Sequence, residues 1–296
     1  MPGRTDVELK CRAKINLSLD VTGRREDGYH LVRMVMQMLE LHDTLQIEKS
    51  EIPGIRLTTN RPGLVEPQNN LVYRAADMLM KEKGITEGLE IRLEKRIPAA
   101  AGLAGGSSDA AAAFLGVNEI FSLGFSAEEL CERAVRLGAD IPYCIMGGTM
   151  LAEGIGERLT ALPPMPECVI ALAKPDIDVP TPWCYKELDK APITDHPDVS
   201  GQIEALKAQN LEGIVERFEN VLEKVTISRY PLIREIKNYM TENGAAGTLM
   251  SGSGPTVFAV FRDKEQAENA CRGLKECGLA KEVFVTRPYR NRREDA

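Results

Sequence analysis

IPAAAGLAGGSSDAAAAFLG, residues 97–116, gathers glycine, alanine and a serine pair into one window whose only charge is Asp109. It comes after GLEIRLEKRIP (88–98), whose apolar residues alternate with polar ones as a half-buried strand requires, ending at Pro98. It leads into SDAAAAFLGVNEIF (108–121), whose alanines favour helix. The window is therefore read as a glycine-rich turn joining a strand to a helix N-terminus.

Such a turn suits anions. The first N–H groups of a helix have no partner within it and carry about half a positive charge between them, so phosphate is attracted even without lysine. Gly102, Gly105 and Gly106 leave the backbone open to an approaching anion and permit positive φ, while Ser107 and Ser108 add hydroxyl donors. Asp109, placed in the first turn, is expected to offset the dipole or hydrogen-bond the loop rather than face phosphate. Two other phosphate loops are excluded by reading: GxxxxGK[ST] needs a lysine after its second glycine, and GxGxxG does not occur here. Read locally, the window also fits a plain turn into a tightly packed alanine helix.

The rest of the chain bounds what such a loop serves. Its 296 residues suffice for a sizeable core in one large domain or two joined ones. Acidic residues number 44 against 37 basic, for a net charge of −7, and the basic residues are scattered, so no nucleic-acid partner is expected. The start, MPGRTDVELKCRAKINL, lacks the apolar core of a signal peptide, and no apolar run reaches membrane-spanning length, so the expectation is a cytoplasmic protein with no membrane partner. Seven scattered cysteines, without a CxxC pair or Cys/His cluster, read as reduced thiols rather than a zinc site.

Periodicity predicts strands in VELKCRAKINLSLDVTG, TLQIEKS and IRLTTN, and with them a mainly antiparallel opening sheet. It predicts helices in NNLVYRAADMLMKEKG and in SAEELCERAVRLG, the latter with Ser126 as N-cap and Glu128 and Glu129 in its first turn. TMLAEGIGERLTAL reads as a strand pair, and the prolines of LPPMPE mark a boundary dividing the chain into 1–162 and 163–296. Beyond it come strand CVIALAKP, the proline-rich turn DIDVPTPWCYKEL, several helices including PLIREIKNYMTENG, strand GTLMSGSGPTVFAVF, helix KEQAENACRGLKECG, strand EVFVTRPY and a frayed tail, RNRREDA. The order of elements predicts an α+β fold.

PAAAGLAGGSSDAAA resembles the phosphate loop of the kinases named after galactose, homoserine, mevalonate and phosphomevalonate, the GHMP family. The double-serine form is most similar to the branch that phosphorylates 4-diphosphocytidyl-2-C-methyl-D-erythritol. AKINLSLDVTGRREDGYH, LGADIPYCIMGG and MSGSGPTVFAVF carry the resemblance over nearly the whole chain. It implies two lobes, an N-terminal one like ribosomal protein S5 domain 2 and a C-terminal ferredoxin-like one, with the active site between them. It also implies ATP with Mg²⁺, whose ligands are left unassigned, a cytidine diphosphate-linked small-molecule substrate, and a monomer or homodimer. Another small alcohol as acceptor, or a non-enzymatic nucleotide-binding role, are the alternatives.

The same resemblance assigns roles to residues. Asp140 precedes Ile141 and Pro142 and reads locally as a helix N-cap; the family pattern makes it the catalytic base. Lys14 reads locally as one lysine in a strand; the pattern makes it the catalytic ammonium, with Asn16, two residues on and on the same face, positioning the hydroxyl. Pro98, Ala99, Ala100, Ala101, Gly102, Leu103, Ala104, Gly105, Gly106, Ser107 and Ser108 form the ATP-binding loop. Tyr29, in the turn REDGYH, and Tyr185 would sandwich the cytosine, with His30 at its edge and Thr181 near the substrate's phosphate or erythritol part. Ser251, Gly252 and Ser253 support the site. Asn69 and Asn70 are read as caps of the next helix.

Overall fold

The structure, a computed structural model, describes residues 5–61, 66–190 and 192–290. These divide into two compact units that interleave along the chain: Met1–Ala13, Leu41–Ala99 and Ala104–Gly147 form one, and Lys14–Glu40, Ala100–Leu103 and Gly148–Ala296 the other. The first two strands of the chain each contribute residues to both units.

In the first unit, the ends of β1 (Asp6–Arg24) and β2 (His30–Ser50) join β3 (Gly54–Thr59) and β4 (Gly88–Glu94). β4 runs antiparallel to β2 over Thr44–Ser50, whereas β3 is parallel to β4. That parallel pair, within a sheet that is mainly antiparallel as expected, has a physical reason: α1 (Leu71–Glu82) lies between the two strands in sequence and makes the crossover parallel pairing needs. Asn70 caps α1, its side chain accepting from Val72 N at 2.9 Å, as expected. α1 packs on α2 (Gly105–Ile120), and α2 in turn contacts α3 (Ala127–Ala134) and α4 (Ile141–Met146). Ser126 and Glu129 close a capping box on α3.

In the second unit, β2 pairs antiparallel with β5 (Thr149–Gly154), which pairs with β6 (Arg158–Leu162), the predicted strand pair. A four-stranded antiparallel sheet comes next, built from β7 (Val169–Lys174), β9 (Gly247–Met250), β10 (Val257–Phe261) and β11 (Glu282–Thr286) in the order β11-β7-β10-β9. With α9 (Leu232–Glu242) and α10 (Lys264–Glu276) packed on it, this is the fourth-first-third-second order of the expected ferredoxin-like lobe. Four shorter helices, α5 (Thr181–Leu188), α6 (Val199–Lys207), α7 (Leu211–Val215) and α8 (Glu223–Arg229), and the two-residue β8 (Glu219–Asn220) fill the connection from β7 to α9.

Three local expectations are corrected. β2 begins at His30 rather than near Thr44; its run from Val32 to Leu39 is buried at nearly every residue and so shows no alternation to read. DIDVPTPWCYKEL is not all turn: α5 starts at Thr181, with Pro182 in the first helical turn where its missing N–H costs nothing. GTLMSGSGPTVFAVF is two strands, because Gly252 and Gly254 take positive φ and Pro255 has no N–H to offer a ladder. Of the tail RNRREDA, only its first residue, Arg290, lies within the described residues. Among those residues the cysteines are all free, and no helix is long and apolar enough to cross a membrane.

Candidate functional site

The glycine loop is more contorted than its glycines alone predict. Ala100, Gly102 and Ala104 all hold positive φ, at 48°, 72° and 54°. Two alanines therefore sit in a conformation that costs a non-glycine residue about 1–2 kcal/mol each. Gly105 and Gly106, expected to supply positive φ, are instead the first residues of α2. Gly105 is needed for proximity: a Cβ there would lie 3.1 Å from Ile97 Cγ2 and 3.3 Å from Lys95 Nζ. α2 starts at Gly105, so its first turn contains Gly105, Gly106, Ser107 and Ser108 and no acidic residue. Asp109 thus lies in the second turn rather than the first.

Asp109 is held from below in the first unit. Lys95 Nζ donates to Asp109 Oδ2 at 2.6 Å and also to Asp43 Oδ2, and all three residues are buried. The other oxygen of Asp43 accepts from the backbone N–H groups of Arg96 and Ile97, which fixes the strand end entering the loop. Asp109 Oδ1 is buried and has no hydrogen-bond partner. Burial, reinforced by the Asp43 charge and opposed by Lys95, raises the Asp109 carboxyl to about 7. The Cys11 thiol is driven well up by burial and by the same two carboxylates. Sequence reading singles out neither residue, Lys95 being one charge just past β4 and Asp43 one charge within β2.

Asp140 occupies the N-cap position of α4 with φ −82° and ψ −12°, but its side chain makes no capping hydrogen bond. The residue type and position are those of a cap; the carboxylate does not perform that role.

In the second unit, β1 turns Lys14 and Asn16 to one face, where both are buried. Lys14 Nζ donates to Asn16 Oδ1 at 2.7 Å, and Asn16 Nδ2 points to Met34 Sδ at 3.2 Å. The backbone N–H of Lys14 donates to Leu103 O at 3.1 Å, tying the strand to the glycine loop. Ser251 Oγ donates to Gly102 O at 2.9 Å, so a third segment, 251–254, closes on the same backbone. Packing is tight at Gly102, where a Cβ would strike the Ser251 carbonyl oxygen, and ordinary at Gly252, where one would stand 3.5 Å from Lys14 Nζ. Lys14, Asn16, the 100–103 part of the loop, Ser251 and Gly252 are thereby brought together.

Thr181 and Ser253 share a hydroxyl hydrogen bond at 2.8 Å. Tyr185, one turn along α5 from Thr181, stacks on His30 with ring centroids 4.7 Å apart and planes 28° from parallel. His30 Nε2 is bonded to Asp189 Oδ1 at 2.7 Å. Tyr29, after the turn at Gly28, is 58% exposed, so its ring is open to solvent. The structure brings His30 and Tyr185 together as a stacked pair, the His30 ring covering one face of Tyr185.

The chain also has known relatives. Residues 70–148 match the GHMP kinases N terminal domain and residues 202–279 match GHMP kinases C terminal. The chain is 50% identical over 285 residues to the 4-diphosphocytidyl-2-C-methyl-D-erythritol kinase of Lachnospira eligens, covering 96% of this chain and 98% of that one. It is 47% identical to the kinase of the same name from Acetivibrio thermocellus, over 95% of this chain and 98% of that one. Among solved structures, a crystal structure of 4-(cytidine 5'-diphospho)-2C-methyl-D-erythritol kinase aligns with a TM-score of 0.80 at 33% identity, over 96% of this chain and 100% of that one. A mevalonate kinase from L. major, in complex with R-mevalonate, shares the fold with a TM-score of 0.76 at 16% identity, over 98% and 99% of the two chains.

Proposed function

The chain belongs to the GHMP kinase family, an α+β family of ATP-dependent small-molecule kinases, and from that premise we propose that it moves the γ-phosphoryl group of ATP to the 2-hydroxyl of 4-diphosphocytidyl-2-C-methyl-D-erythritol. The products are the 2-phosphate and ADP, an intermediate step of the non-mevalonate route to isoprenoid precursors. Residues 1–162 form the nucleotide-side lobe of this proposal and residues 163–296 the acceptor-side lobe. The observation that carries the reading is the fastening of Lys14 to the glycine loop through Leu103 O, with its ammonium buried against Asn16.

Phosphoryl transfer asks for little covalent chemistry from a protein; it asks for alignment and charge stabilisation. In this proposal Asp140, whose carboxylate does not cap α4, accepts the proton of the attacking hydroxyl. Lys14 supplies positive charge to the transferring group, and Asn16 orients the hydroxyl. The N–H groups at the start of α2, with Ser107 and Ser108, hold the phosphates. The cytosine lies between Tyr185 and Tyr29, with His30 at its edge and Thr181 toward the phosphate or erythritol part. Mg²⁺, when bound, screens the β and γ phosphates. Among the described residues no group of three or more His, Cys, Asp or Glu is arranged to hold a metal, so the ion is proposed only as the companion of ATP. We further propose a cytoplasmic protein, monomeric or homodimeric.

The test is turnover of ATP with the cytidylyl substrate, with mevalonate and homoserine as competing acceptors. Turnover confined to the cytidylyl acceptor supports the proposal; turnover of another acceptor at an equal or higher kcat/KM rejects the substrate.

A further inference from the structure

Asn220 lies in FENVLEKV, a stretch whose sequence offers no motif and reads only as part of the connections between helices. It is buried, on the two-residue β8, which pairs parallel with β1 through Leu19 opposite Asn220. Its Nδ2 donates to Met250 O at 2.9 Å and to Gly252 O at 2.8 Å, and its Oδ1 accepts from Leu222 N at 3.0 Å. Two carbonyls need a donor and one N–H needs an acceptor, so only one orientation of the amide satisfies all three. Three residues on, Glu223 Oε1 accepts from Met250 N at 2.8 Å while Lys237 neutralises the carboxylate. One short segment thus grips the end of β9 by both its N–H and its carbonyl.

Immediately beyond Met250, the backbone faces Lys14. Ser251 bonds Gly102 O, and the Gly252 backbone lies beside the pair, a Cβ there being at ordinary contact distance from Lys14 Nζ, 3.5 Å, and Asn16 Oδ1, 3.6 Å. We propose that Asn220 is a positioning residue for phosphoryl transfer: by holding the Met250 and Gly252 carbonyls it fixes the wall against which the Lys14 ammonium and Asn16 are set. The proposal rests on the assignment of Lys14 to transition-state charge. Asn220 touches no substrate; it acts through Gly252 on Lys14.

A double-mutant cycle tests it. Asn220→Ala removes all three bonds, and Asn220→Asp keeps the size and the acceptor for Leu222 N but loses both donations. Each is compared with wild type, Lys14→Met and the two double variants by single-turnover phosphoryl transfer at saturating substrates, with KM values and melting temperatures measured alongside. The expected result is a drop of about 10–100-fold in the transfer rate for either Asn220 variant, with KM values within about threefold. In the Lys14→Met background the same change should lower the rate by less than about threefold, because coupled residues are not additive. Asn220→Asp carries the test if Asn220→Ala does not fold. Equal fold-losses in both backgrounds, or an Asn220→Asp rate within about threefold of wild type while Lys14→Met is crippled, overturn the proposal. Full turnover by Lys14→Met instead overturns the assignment of Lys14 itself, a different outcome.

Discussion

Lys14 donates its ammonium to Asn16 Oδ1 at 2.7 Å, the two residues standing two apart on one buried face of β1. A buried ammonium is costly unless its donors are satisfied, so the pair is held in place by the fold before any substrate arrives. Lys14→Met keeps the length and loses the charge. Its kcat is expected to fall by about 10²–10³, the scale for removing one preorganised donor to developing charge, with little change in the KM for ATP. Steady-state kinetics on the purified variant check this.

Asp140 allows a cap and a base to be separated. Losing a working N-cap costs about 1 kcal/mol, whereas losing a general base costs about 10²–10⁴ in rate. Asn serves at an N-cap position as well as Asp does, so Asp140→Asn changes the base without changing the capping capacity, and kcat is expected to fall by at least about a hundredfold. Full kcat in Asp140→Asn, with Asp140→Ala melting several degrees lower, would return Asp140 to the role of a cap.

Much of this is legible in the sequence because it is local. The strand, glycine turn and alanine helix around residues 88–121 announce themselves by period and composition, as do the caps at Asn70 and Ser126. The features that escape such reading are set by partners distant in sequence. Nothing in the run Val32 to Leu39 distinguishes a doubly buried strand from a core helix, and the positive φ of Ala100 and Ala104 arises from neighbours rather than from alanine. Asn220 reaches backbone carbonyls at Met250 and Gly252, and Asp43 reaches Lys95 and the N–H of Ile97, so no spacing rule finds them. The roles of Lys14 and Asp140 come from resemblance, since one lysine in a strand and one aspartate before a helix carry no chemistry of their own.

The stacked pair of His30 and Tyr185 predicts how the cytosine end responds to truncation. An aromatic platform contributes about 1–3 kcal/mol per stacked base. Tyr185→Ala also frees the His30 ring, held between Tyr185 and Asp189, and is expected to raise the KM for the cytidylyl substrate about tenfold or more with the KM for ATP unchanged. Tyr29→Ala, removing an exposed ring, is expected to act on the same KM without lowering the melting temperature. Binding of cytidine diphosphate by calorimetry gives the same comparison without turnover, and wild-type affinity in both variants would remove the cytosine from this part of the protein.

The Lys95, Asp43 and Asp109 group beneath the loop predicts a pH dependence of stability. Asp109 titrates near its usual value, about 4, in the unfolded chain, but at about 7 in the folded one. The folded state therefore binds the proton more tightly, and the stability this group contributes is complete below about pH 4 and lost as pH rises toward 7. Asp109→Asn removes that titration while retaining an oxygen for Lys95. Its melting temperature is expected to decline less than that of the wild type between about pH 5 and about 7.5, the range in which the folded carboxyl ionises. Lys95→Met removes the cation and leaves two buried carboxylates facing each other; breaking a buried pair in this way costs about 3–5 kcal/mol, most of it at the higher pH. Thermal melts of the three proteins across that range check the sign, and parallel curves for wild type and Asp109→Asn would show that Asp109 is ionised throughout.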